Sequence, residues 1–391
     1  MRLLLPILFL ATVGSAMCHH LDRIWTDSQG RSVKAELLKV EGASVVLLLP
    51  DGRQIPYAIA KLSQIDQAFI KKFGLDVNHG ETAVAIPDNF DDEWPDEATI
   101  KGNPRIATIE ENVAEKKFVY ESANYRYQCD APLLNTVIGG FAVMFEATHQ
   151  YCRELPLSLN SGVKTDGKYQ IILFEHEKDY ISAGGPPGSA GVYIPHKNIV
   201  MVPLTSLGVQ KFGSGYTLDR DKGNKTLPHE LVHQLTPPIY YEPGSDGWFT
   251  EGVAEYVAVT PYRSGSFGVR SNFKAIIGYV TAYGIQGKGG RGLGHRIAIG
   301  PLKAFMMQPY SSFAGGSKAN FNYGCGLLIT NYFFHMDGDG DAKRIKAFLK
   351  AMKAGKKGEE ALAVLLDGRT WEQLQAEIAA AYAEEKVTLT F

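Results

Sequence analysis

Residues 229–233 read His-Glu-Leu-Val-His, and eighteen positions after the second histidine comes Glu251, inside Trp248-Phe249-Thr250-Glu251-Gly252-Val253-Ala254-Glu255-Tyr256. On a helix, His229 and His233 stand four residues apart and project from one face. Two imidazole nitrogens can then grip one metal ion. Glu230 lies beside them, placed to draw a proton from water. Glu251 supplies a third, oxygen ligand. Three protein ligands with one open position form a catalytic rather than a structural zinc site.

The pair of histidines alone would decide little. With ten histidines in 391 residues, a bare HExxH arises by chance in roughly one or two such chains per hundred. A core helix with two satisfied histidines is the ordinary alternative. The downstream segment carries the argument, because Glu251 and Glu255 are also four apart on a helical pattern. One can bind metal while the other accepts the free N–H of a ligand histidine. Thr226 can cap the first helix, Pro228 is tolerated in its first turn, and Thr236-Pro237-Pro238 ends it. The histidines therefore lie near a mildly positive helix start, which favours their neutral form slightly.

HELVH followed by WFTEGVAEY resembles the gluzincin branch of zinc metallopeptidases, in its peptidase-MA-like form, over about residues 116–391. The resemblance implies an α+β zincin-like domain: a mixed sheet, the HExxH helix and a helical C-terminal part. It implies zinc held by His229, His233 and Glu251, Glu230 as general base and proton shuttle, and Glu255 as the carboxylate behind a ligand histidine. It also implies a peptide or protein substrate. Residues 234–250, between the second histidine and Glu251, form a slightly shorter spacer than in many relatives, and the difference falls in the loop from Thr236 onward. Gluzincins often stabilise the oxyanion with a tyrosine or histidine on a later helix. Tyr323, in Asn322-Tyr323-Gly324-Cys325-Gly326, is the first candidate, although a core tyrosine fits the same pattern. His295, after the Gly-rich run 287–294, is the second, with a surface loop as the simpler reading there. No Gly-Ala-Met-Glu-Asn amine-binding motif precedes the HExxH, which favours cleavage within chains. Two other functions satisfy the same residues: a non-enzymatic cell-surface binding protein that keeps the zincin fold, and a zinc hydrolase of a non-protein amide. An intact Glu230 speaks against the first, since binding has no need of a base.

A chain of this length should hold two domains. Arg2, the apolar run Leu3 to Val13 and the small residues Gly14-Ser15-Ala16 form an export signal, with 1–16 as the signal peptide and a periplasmic, cell-surface or secreted product. The run is too short to span a membrane, and no later segment reaches that length. Cys18 makes a poor lipobox because Met17 is bulky. Within 21–75, strand-like runs at 23–26, 33–37, 44–49 and 54–59 alternate with turn signals such as Asp27-Ser28-Gln29-Gly30 and Asp51-Gly52. They predict a small all-β barrel. The string Trp-Thr-Asp-Ser-x-Gly-Arg, then Asp51-Gly52-Arg53 and Lys61-Leu62-Ser63, resembles the SLA1 homology domain 1 (SHD1), whose fold is SH3-like. That resemblance implies a protein or surface ligand, and a passive spacer fits equally. Residues 76–115 are acidic and broken by proline, which predicts an extended or disordered linker.

Beyond the linker, Phe118 to Tyr127 alternates like a strand, Leu133 to Leu155 reads as a helix and 169–174 as a buried strand. Residues 183–191 read as a flexible loop. A hairpin at 192–194 and 198–202 follows. By the zincin resemblance, 198–202 is the edge strand that pairs with substrate, and His196 near its start is either a substrate contact or simply solvated. Helices are expected at 323–336, 342–353, 358–366 and 371–385, the last with a capping box at Thr370-Trp371-Glu372-Gln373. Asp337-Gly338-Asp339-Gly340-Asp341 is a turn, because an EF-hand would need glycine at Ala342 and glutamate at Phe348. Export permits a Cys129–Cys152 bridge, while Cys325 reads as a buried thiol. A formal charge of -2 gives no basic field for nucleic acid.

Overall fold

The computed structural model describes residues 22–49, 53–64, 66–67, 70, 87–219, 226–282 and 289–391. The expected export signal, Cys18 and residues 76–86 lie outside them. The N-terminal unit is a four-stranded antiparallel sheet in the order β1 (Asp22–Thr26), β2 (Ser32–Glu41), β3 (Ser44–Leu48), β4 (Gln54–Ala58). Its core gathers Trp25, Ala35, Val45, Leu47, Leu62 and Ile70, and the Trp25 indole donates to the Ala35 carbonyl at 2.9 Å. The expected barrel is not closed. Closure needs first and last strands to pair, whereas β1 is followed by an isolated bridge from Asp27 to Leu62, beyond β4.

From residue 87 the chain serves one large hydrophobic core and a smaller one within residues 172–201, and the stretch expected to be a linker is docked on the large one. Phe90 is buried. The Trp94 indole donates to the Tyr256 hydroxyl at 3.2 Å and packs on Phe334 and His335. Asp88 and Asp91 pair with Lys353 and Lys350. Two aromatic anchors at non-periodic positions hold this segment, and so its pattern resembles a linker. It continues into β5 (Ala98–Thr99) and β6 (Ala107–Asn112).

The central sheet is mixed and six-stranded. It adds β7 (Lys117–Glu121), β8 (Tyr125–Cys129), β9 (Tyr169–Phe174), β10 (Val192–Ile194) and β11 (Ile199–Pro203), in the order β10-β11-β9-β8-β7-β6. The single strand expected at 118–127 is thus two, turned at 122–124, where the Ser122 N–H meets the Tyr125 carbonyl at 2.9 Å. Strands β8, β9 and β11 run parallel. The crossover from β8 to β9 is helix α1 (Asn135–Glu154), as a parallel pair requires. A short α2 (Glu177–Ser182) follows β9. The hairpin expected at 192–202 is present, but its second strand is interior: β11 is buried at every residue and paired on both sides. A continuous apolar run belongs to a strand covered on both faces, so β10 forms the edge instead.

A hairpin of β12 (Val209–Phe212) and β13 (Gly215–Leu218) leads towards α3 (Thr226–Leu235) and α4 (Trp248–Val259). The remainder is mainly helical: α5 (Asn272–Thr281), α6 (Leu302–Met306), α7 (Tyr310–Ala314), α8 (Ala319–His335), α9 (Lys343–Lys353), α10 (Gly358–Leu366) and α11 (Trp371–Glu384). The expected capping box closes α11, with Gln373 N–H on Thr370 Oγ1 at 3.2 Å and Thr370 N–H on Gln373 Oε1 at 2.8 Å. Among the described residues no helix is long and apolar enough to cross a membrane. Cys129 and Cys152 are free rather than bridged, as is Cys325. All three are buried, and burial pushes the Cys129 thiol up to about 12.

Helices α4 and α8 approach closely because α4 offers Gly252 at the crossing. A Cβ there would lie 2.1 Å from Thr330 Oγ1 and 2.7 Å from the Gly326 carbonyl oxygen. Overfilling a packed contact costs about 1–3 kcal/mol. Gly252→Ala is therefore expected to lower unfolding free energy by about 2–3 kcal/mol, measured by urea denaturation. An unchanged midpoint would show that the crossing has slack.

Candidate metal centre

Helix α3 is locked to the sheet by Gln234, whose Nε2 donates to the carbonyls of Gln170 and Asn198, both at 2.9 Å. These bonds fix the rotation of the helix. Leu231, Val232 and Leu235 then enter the core, and the two histidines meet α4. That helix starts at Gly247, whose φ of 75° is a left-handed conformation open to glycine. A Cβ there would also strike the Phe313 ring at 2.8 Å.

The two helices bring His229, His233 and Glu251 to one point. His229 Nε2 lies 3.1 Å from Glu251 Oε2, His233 Nε2 lies 3.4 Å from the same oxygen, and the two nitrogens are 3.1 Å apart. All three side chains are buried. The outer ring nitrogens are engaged elsewhere. His229 Nδ1 sits 2.9 Å from Glu255 Oε1. The Tyr241 hydroxyl donates to the His233 carbonyl at 3.2 Å and lies 3.1 Å from His233 Nδ1, from which it accepts. Each Nδ1 thus holds a proton, and each Nε2 turns towards Glu251. The Glu251 carboxylate is split in function: Oε1 accepts from the Tyr310 hydroxyl at 2.6 Å, while Oε2 is buried with no hydrogen-bond partner.

This geometry fits a metal cation. A tetrahedral zinc with ligand distances of about 2.0–2.1 Å holds its ligand atoms about 3.3–3.4 Å apart, close to the separations found. Charge agrees. Glu230, Glu251 and Glu255 are buried carboxylates, and the guanidinium of Arg291 is the buried cation among them. With Glu230 ionised and His229 in the neutral form that binds a metal, the excess of two negative charges is what a divalent ion neutralises. The His-His-Glu group can therefore bind a metal ion.

Glu255 is held from behind. Arg291 Nη2 is 2.8 Å from its Oε1, and Arg291 Nε donates to its Oε2 at 3.0 Å. Burial raises the Glu255 pKa, but the Arg291 charge and the His229 hydrogen bond outweigh it and hold the carboxyl at about 2. The guanidinium lies between the rings of Tyr279 and Tyr323, 5.6 and 4.9 Å from their centroids. Glu230 Oε2 accepts the Tyr193 N–H of edge strand β10 at 2.8 Å, and Oε1 is buried without a partner. Burial raises its pKa, so it takes up protons more readily than an exposed glutamate.

Tyr323 is fully buried, with its ring 6.0 Å from that of His229. The site thus gathers His229, Glu230, His233, Glu251, Glu255 and Tyr323. His295 is not among them: it is exposed, and its carbonyl pairs with Thr388. The side chain of His196 lies outside the described residues. Three partners go unannounced in the sequence: Tyr241, Tyr310 and Arg291. The last stands in the loop expected to be surface. None shares a period or motif with its partner. The chain matches no protein-family model and no curated protein.

Burial pulls the His229 pKa down, but the carboxylates of Glu251 and Glu255 beside its ring raise it to about 10. Its protonated form therefore persists through neutral pH, and a metal taken up at Nε2 must displace a proton. Between about pH 7 and 9, metal uptake is expected to release about one proton per site, and apparent affinity to rise about tenfold per pH unit. Calorimetry in buffers of different ionisation enthalpy counts that proton. Metal content near one ion per chain, lost in His233→Ala, is the companion expectation. Equal content in both proteins would exclude the site.

Proposed function

We propose that the chain is an exported zinc-dependent metallopeptidase of gluzincin type, hydrolysing peptide bonds with Glu230 as general base. One observation carries this reading. Beside three converging ligand atoms stands a buried carboxylate with a bare oxygen, Glu230 Oε1, and a raised pKa. A structural metal site has no use for such a group. Bound to His229, His233 and Glu251, zinc would supply Lewis acidity, polarising the scissile carbonyl and acidifying water.

The chain's own residues do the rest. Glu230 takes the proton from the attacking water at Oε1 and passes it to the leaving amine. Its Oε2 stays tied to the backbone of β10, which holds the carboxylate in place. Tyr323 is the proposed donor to the developing oxyanion. The outer edge of β10, apart from the Tyr193 N–H that Glu230 accepts, is the proposed contact for the substrate backbone, in place of 198–202. Glu255, anchored by Arg291, keeps His229 in the tautomer that offers Nε2. The N-terminal sheet is read as an SHD1-like module that binds a protein or surface ligand, or spaces the catalytic unit.

Glu230→Gln keeps the shape and removes the base. It is expected to retain one metal ion per chain while hydrolysis of a quenched peptide library falls by about 10²–10⁴-fold. If the metal-loaded wild type cleaves nothing in that library, and the variant binds the same partners, the peptidase reading fails. Release of amine from non-protein amides instead would move the substrate class without moving the site.

A further inference from the structure

We infer that Tyr310 is a positioning residue that makes Glu251 a one-oxygen ligand and so keeps a coordination position open. This rests on the metal-centre reading above. A carboxylate can bind a cation through one oxygen or both, and binding through both would fill the position that a catalytic metal leaves free. The two oxygens of Glu251 are not equivalent here. Oε2 lies 3.1 and 3.4 Å from the two imidazole nitrogens and has no hydrogen-bond partner. Oε1 accepts a 2.6 Å bond from the Tyr310 hydroxyl. A phenol donating to an ionised carboxylate at that distance is a charge-assisted bond, roughly twice as strong as a neutral one. Rotating the carboxylate to present both oxygens would break it.

Tyr310 is in turn tied to the helix that carries Glu251. It opens α7, whose Phe313 is fully buried. The Phe313 ring lies where a side chain at Gly247 would go, at the start of α4. The Phe313 carbonyl accepts from Asn322 Nδ2 at 2.8 Å, which fastens α7 to α8. The hydroxyl of Tyr310 and the carboxylate of Glu251 therefore meet across a short, braced path. The role of the tyrosine parallels those of Glu255 for His229 and Tyr241 for His233: each proposed ligand is held by one side chain that does not itself touch the metal.

Tyr310→Phe tests the assignment, with Tyr241→Phe as comparator. Metal affinity, read by chelator competition, is expected to fall roughly 10–100-fold in both variants. Only Tyr310→Phe should change coordination number. In the cobalt-substituted protein its visible absorption should weaken, as it does when cobalt gains a ligand, while Tyr241→Phe keeps the wild-type intensity. An unchanged cobalt spectrum in Tyr310→Phe would overturn the inference, as would an unchanged affinity with a loss confined to peptide hydrolysis. If Tyr310→Phe does not fold, the wild type alone decides. Carboxylate infrared bands in the metal-loaded minus metal-free difference should show the wide splitting of one-oxygen binding, and a narrow splitting overturns the assignment. A wild type that takes up no zinc or cobalt overturns both this inference and the metal-centre reading, whereas a wild type that binds metal with narrow splitting overturns only this one.

Discussion

Two imidazole nitrogens and a carboxylate oxygen lie within 3.1–3.4 Å of one another in the interior of the larger unit. They converge on a common spot, where a proton on an imidazole or a metal ion relieves the repulsion between their lone pairs. Much of the surrounding structure exists to enforce that convergence. Gln234 sets the rotation of α3 against the sheet. Gly247 sets the start of α4, and Gly252 lets α4 press against α8. Glu255 on α4 itself, and Tyr241 and Tyr310 from two further segments, then hold the outer atoms of the three side chains.

Charge balance extends the same constraint outward. A buried carboxylate such as Glu255 is costly unless paired, and Arg291 pairs it through two nitrogens. That contact pins residues 289–294 to the centre through one side chain. On the other side, Glu230 ties the edge of the sheet to α3 through the Tyr193 N–H. The buried groups form a connected set in which each carboxylate has at least one oxygen satisfied. Glu230 Oε1 and Glu251 Oε2 are the two left bare. Clusters of this kind are retained for chemistry more readily than for stability.

Most of the architecture was legible where a local rule governs it. The C-terminal helices follow an apolar spacing near 3.6, and Thr370 and Gln373 cap the last of them as their spacing requires. The elements that misled depend on partners far along the chain. Phe90 and Trp94 anchor an acidic stretch whose composition reads as disorder, because their pockets are built from α8, α9 and α4. Strand β11 became interior because β10 folded back outside it. The N-terminal strands followed their turn signals, but whether a sheet closes depends on tilt and stagger that turns do not encode. Cys129 ends β8 and Cys152 lies in the last turn of α1, yet that spacing in the sequence says nothing of whether their thiols meet.

By itself the sequence determined the ligand types and the helical spacing that turns them to one side: His229 with His233, and Glu251 with Glu255. Those depend on the 3.6-residue period, a property of the local backbone. Only the tertiary structure decided that the two pairs face each other and which nitrogen of each histidine is bare. It alone decided which oxygen of Glu251 accepts from Tyr310, and that a guanidinium from a glycine-rich loop pairs with Glu255. Those outcomes come from packing between segments tens of residues apart, and no period or motif records which side chains will be neighbours there.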